Sequence, residues 1–119
     1  MDLVGKLQVK PGTAVAVLNA PPGLELAGVE RGDADAPAVL EFVTMRAELE
    51  QAGPAVEAAR EDRLAWIAYP KAGRLGTDLN RDRLAEAAGV HGIRPVRQVS
   101  LDETWSALRF RPGSWPSRD

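Results

Sequence analysis

Lys71, Asp78, Asn80, Arg81 and Asp82 fall within one short stretch of the chain. Two cations beside the start of a helix suit a phosphate or a carboxylate, because a helix N-terminus presents unpaired N–H groups and the positive end of its dipole. Asn19, at the end of an earlier apolar run, could orient such an anion. The same residues also read without a ligand: Asn19 as a turn, Asp78 or Asn80 as a helix cap, and Lys71 in a surface ion pair. Asp102 and Trp105 form a second pair, either an acid beside an aromatic wall or an Asx-type turn whose indole packs on a sheet. The candidate ligand-binding set is therefore Asn19, Lys71, Asp78, Arg81, Asp102 and Trp105. No catalytic set emerges. Thr104 and Ser106 would each need a base, and nothing local joins His91 to either hydroxyl. The acidic pairs Asp33/Asp35 and Glu61/Asp62 could serve acid–base chemistry, but surface loops supply such pairs so often that solvated charges are the expected reading.

The elements that must hold these residues follow from apolar runs and punctuation. Ala14–Leu18, Ala38–Val43 and Leu64–Tyr69 are continuous apolar runs bounded by turn residues, the pattern of strands buried on both faces of a parallel sheet. Between the first two, Leu24–Val29 predicts one helical turn closed by Gly28, then a short edge strand from Val29 to Arg31. Gly32–Pro37 reads as an acidic loop. Thr44 is placed to cap a helix from Met45 to Gln51 or Ala52, and Pro54 suits the first position of a second helix reaching Glu61. Asn80 caps a helix over Arg81–Ala88, with Gly89 in the left-handed position and Val90 as the apolar residue after it. Val96–Leu101 and Trp105–Arg111 are too close in sequence to be anything but an antiparallel hairpin. The expected fold is a three-layer α/β domain over residues 1–112. Its Rossmann-like mixed sheet has five to six mostly parallel strands, with helices on both faces and a terminal antiparallel hairpin. The expected order is the short edge strand, then 14–19, 38–43, 64–69, 105–111 and 96–101. Residues 113–119 read as a mobile tail that Trp115 could anchor.

That topology resembles the sheet of Rossmann-like S-adenosylmethionine methyltransferases with most of the first half trimmed away. The resemblance implies a cofactor loop after the first strand, which needs several glycines for close backbone approach. Asn19-Ala20-Pro21-Pro22-Gly23 has one glycine and two prolines, which lack N–H donors. Glu30 and Asp33 are the acids available for a ribose. No cofactor is expected. A second likeness lies in Leu18-Asn19-Ala20-Pro21-Pro22-Gly23, Trp66-Ile67-Ala68-Tyr69-Pro70-Lys71, Thr77-Asp78-Leu79-Asn80-Arg81-Asp82 and Asp102-Glu103-Thr104-Trp105-Ser106-Ala107-Leu108-Arg109-Phe110. These segments resemble the signature stretches of a bacterial family of small stand-alone domains of unknown function, in the same order from about Leu7 to Arg111. The resemblance implies a single domain and no particular reaction.

Composition narrows the function classes. The chain has 119 residues, 45% hydrophobic and 27% charged, a size and balance suited to one domain with its own core. Its lack of cysteine excludes disulfides, thiol catalysis and cysteine-ligated metals. With His91 the only histidine, no histidine-rich metal site is expected. The longest uncharged run, Pro11–Leu24, is interrupted by Pro, Gly and Asn and is too short to span a bilayer. The start of the chain lacks a basic-then-apolar leader pattern, so a cytoplasmic location is expected. Residues 1–59 are net acidic and residues 60–119 net basic, yet the whole carries −2, against a nucleic-acid partner. The leading reading is a non-catalytic binding or interaction module, self-associating or with a protein partner. The alternatives are a site for a small anion at the strand ends, or a degenerate methyltransferase-like enzyme.

Overall fold

Alternation of side chains on a strand lets one apolar run serve two layers. In Leu64–Pro70, Ala65, Ile67 and Tyr69 enter one buried cluster while Trp66 and Ala68 enter another on the opposite face. The computed structural model describes residues 3–10, 12–24, 30–33 and 35–115. Its strands are β1 (Ala14–Leu18), β2 (Glu30–Arg31), β3 (Ala38–Phe42), β4 (Leu64–Pro70), β5 (Ile93–Ser100) and β6 (Trp105–Pro112). Its helices are α1 (Leu3–Lys6), α2 (Pro54–Arg60) and α3 (Arg81–Gly89).

The strands form one six-stranded sheet in the order β2-β1-β3-β4-β6-β5. β2, β1, β3 and β4 are parallel; β6 is antiparallel to both its neighbours. This is the mixed α/β sheet and the strand order expected from the sequence. The two layers outside it are unequal. α2, α3 and a 3-10 turn over Arg46–Leu49 cover one face through Leu49, Val56 and Leu84. The opposite face is covered by Leu7 and Val9, just after α1, and by Ala20 and Leu24 after β1. Trp66 is buried beneath Leu7 and donates its indole N–H to the Leu7 carbonyl at 2.9 Å. The links leaving β1 and β3 thus pack on opposite faces, which opens a crevice beyond the carboxyl ends of the parallel strands.

Local expectations fail at several points for identifiable reasons. No α-helix runs from Met45 to Gln51, and Thr44 is not its cap. The Glu48 carboxylate folds back onto the N–H groups of Thr44 and Met45 at 2.8 and 2.7 Å, holding a 3-10 turn instead. Gly89 is inside α3 rather than left-handed beyond it. The chain continues through right-handed Val90, 78% exposed, to Gly92, which takes φ 83°. Gly89 is small for another reason, since a Cβ there would lie 3.2 Å from the Cβ of Trp115. β5 begins at Ile93 and tolerates Pro95 because it is an edge strand with an irregular register between Pro95 and Arg97. The turn expected over Leu24–Val29 lies mostly outside the described residues, as does the tail beyond Trp115.

A buried carboxylate explains how α2 starts. Gly53, just before it, has no side chain to cap the helix. Glu41, 8% exposed on β3, reaches across and accepts the Ala55 N–H at 3.0 Å. Burial raises the Glu41 pKa above the ordinary carboxylate value. The Ala55 hydrogen bond opposes that rise and the nearby Glu48 charge adds to it.

Candidate functional site

Four chain segments meet at the carboxyl edge of the parallel strands: the residues after β1, after β3 and after β4, and the β5–β6 turn. Over β3 and β4 the edge is stitched shut. The Thr77 hydroxyl donates to the Thr44 carbonyl, and Asp78 accepts the Arg46 N–H at 2.8 Å. The Asp78 carbonyl accepts from the Arg83 guanidinium at 3.1 Å, while Asn80 caps α3 by accepting the Arg83 N–H at 2.8 Å.

The β5–β6 turn is pinned just as firmly. Asp102 Oδ1 accepts the N–H groups of Thr104 and Trp105 at 2.8 and 2.7 Å, an Asx turn extended by one residue. Lys71, immediately after β4, donates its backbone N–H to the Thr104 carbonyl at 2.7 Å. Its ammonium donates to Ser100 Oγ at 2.8 Å and to the Asp102 carbonyl at 2.6 Å. Lys71 therefore ties the hairpin to β4 through uncharged acceptors, rather than through an ion pair. Trp105 is buried and meets Phe42 edge-on, with ring centroids 5.1 Å apart.

Between this turn and the residues after β1 lies an open cleft of about 320 Å³. Pro21, Pro22, Leu24, Leu75 and Trp105 supply the apolar part of its lining, Thr104 and Asp102 belong to a polar part that is no smaller, and Asp102 is its charged residue among the described residues. Leu75 is 61% exposed and held at φ 53°, between Gly73 at 78° and Gly76 at 67°. A left-handed leucine costs about 1–2 kcal/mol, and here its apolar side chain is left at a cleft rim. Proximity to Gly73 and Gly76 was the available signal for Leu75 in the sequence: a large apolar residue isolated among turn glycines.

The six candidate residues divide between places. Asp102 and Trp105 line the cleft, and Lys71 braces it from behind. Asp78 instead lines a larger groove of about 500 Å³ between the 3-10 turn and α3, where Arg46 pairs with Glu86 at 2.7 Å. Asn19 is an exposed turn residue at φ 61°. Arg81 opens α3 with an exposed side chain. Its charge acts on Tyr69, whose pKa is raised chiefly by burial; hydrogen bonds with Ser106 and Gln98 and the Arg81 charge oppose the rise.

The remaining reactive types have structural partners. His91 Nε2 lies 2.7 Å from the Leu49 carbonyl. Asp33 accepts the Asp35 N–H at 3.1 Å, Glu61 pairs with Arg63, and Asp62 pairs with Arg111 through two 2.9 Å hydrogen bonds. Among the described residues no group of His, Asp and Glu could hold a metal ion. No described helix is long and apolar enough to cross a membrane. The chain matches no protein-family model, and no curated protein matches it.

Proposed function

We propose that the chain is a non-catalytic binding module whose recognition site is the cleft between the residues after β1 and the β5–β6 turn. The observation that carries this reading is the exposed, left-handed Leu75 over a cleft of mixed lining, in which Pro21, Pro22 and Leu24 face Thr104 and one fixed carboxylate, Asp102. Strained backbone of this kind clusters at ligand clamps and active sites. Pro21 and Pro22 sit where a cofactor loop would offer N–H groups, so binding of S-adenosyl compounds is not expected.

A second reading, an anion held by Lys71 and Arg81, draws on the exposed guanidinium at the start of α3. A thermal-shift screen of nucleotides, S-adenosyl compounds, phosphosugars, simple anions and small amines tests both. A ligand at about 100 times its dissociation constant stabilises the native state by about 2.7 kcal/mol. A saturable shift lost in Leu75→Ser supports the cleft. A shift by anions alone, lost in Lys71→Ala and kept in Leu75→Ser, supports the second reading. A flat screen from folded protein rules out a small-molecule cleft of either kind.

A further inference from the structure

The geometry points to a small organic amine, an ammonium or guanidinium on an apolar body, as the ligand of this cleft; the inference rests on the binding-module reading and specifies its ligand class. Charge complementarity carries it. Asp102 is the charged residue of the lining among the described residues, and neither Lys71 nor Arg81 belongs to it. The two hydrogen bonds that fix the Asp102 carboxylate both end on Oδ1, leaving Oδ2 without a hydrogen-bond partner among the described residues. The same Oδ1 contacts lock the carboxylate to the Trp105 backbone, so acid and aromatic wall are positioned together before any ligand arrives. The Lys71 ammonium is directed to Ser100 Oγ and the Asp102 carbonyl, on the turn's other side chains and backbone rather than on this carboxylate. Glu103, exposed in the same turn, is not a lining residue. Arg74, next to Leu75, is exposed but is not a lining residue. A volume of about 320 Å³ is at the small end of the range for small-molecule sites, about 300–1,000 Å³.

The test compares tryptamine with its near-isosteres 3-indolepropionate and indole-3-ethanol, by calorimetry and by amide chemical-shift mapping on the whole chain. Tryptamine is expected to bind saturably and at least about tenfold tighter than the acid, a 1.4 kcal/mol preference. It should shift the amides of Leu75, Thr104 and Trp105. Asp102→Asn keeps an Oδ1 acceptor for the turn, so it should leave the fold and the binding of the neutral alcohol intact while erasing the preference for the amine. Leu75→Ser, at an exposed position, should weaken all three probes. Equal binding of acid and amine, or a preference that survives Asp102→Asn, overturns the inference and leaves the cleft as a binding site. Shifts of Lys71 and Arg81 with the acid alone overturn it in favour of anion binding. If no probe of any charge moves the cleft amides, both the inference and its parent reading fall.

Discussion

Glu41 shows how much one buried carboxylate decides. It takes the place of the side-chain cap that Gly53 lacks, yet its charge is unfavourable where it sits. Its pKa is raised in the folded protein. Its ionisation therefore opposes folding, and its contribution is most favourable below the ordinary carboxylate value. That contribution falls as pH rises through the ordinary value toward the raised one. Glu41→Gln keeps an acceptor for the Ala55 N–H and removes the charge. Urea melts should show the variant more stable at neutral pH, with the gain shrinking to nothing as pH drops below about 4.5. A pH-independent difference would contradict this account. Gly53→Ala should cost about 1 kcal/mol, since a Cβ would stand 2.8 Å from one Glu41 carboxylate oxygen. None of this was legible in the sequence, because one acid within an apolar strand shows no sign of the helix it will meet. Asp102 was legible as a turn former, since hydrogen bonding to N–H groups two and three residues on is local chemistry. That it lines a cleft depends on Pro21 and Leu75, far away in sequence.

At the scale of elements, punctuation was a good guide where one local interaction dominated. Pro54 starts α2 and Asn80 caps α3, as expected from residue type alone. The failures occur where another residue takes the local role: Glu48 in place of Thr44, and Gly92 rather than Gly89 in the left-handed position. The layer formed by Leu7 and Val9 had no periodic signal at all. It is an irregular strap held by burial, by the Trp66–Leu7 hydrogen bond, and by side-chain bonds from Arg109 to Gln8 and from Lys6 to the Ser100 carbonyl. Trp66→Phe keeps an aromatic ring in the core but leaves the Leu7 carbonyl unpaired, at a cost of about 1–3 kcal/mol. Hydrogen exchange should then quicken at Gln8 and Val9 well before β3 or β4 is affected. Uniform acceleration through the sheet would mean the strap does not open separately.

For the whole molecule, strand order was readable because parallel runs demand crossovers and a three-residue gap demands a hairpin. Placement of the candidate site residues was not, since it depends on how four loops pack. The finished sheet has two edges. β2 is only two residues long, whereas β5 has eight, with Arg94 and Arg97 along it. Two devices shield that longer edge from other strands: Pro95 with its irregular register, and Lys6, whose ammonium donates to the Ser100 carbonyl at 3.0 Å. Replacing both, Lys6→Thr with Pro95→Val, should produce edge-to-edge dimers or larger species in light scattering as concentration rises. Persistence of the parent's mass across the same range would show that the arginines suffice.

The position of β6 also sets a schedule for synthesis. β5 leaves the ribosome before β6, but its place in the sheet is beyond β6, so it has no partner strand to join until residues 105–112 follow. At about 5–20 residues per second, that wait lasts on the order of a second. During it the β4 edge, central in the finished protein, stands bare and apolar. The chain is most open to wrong pairing until residues 105–112 dock against β4.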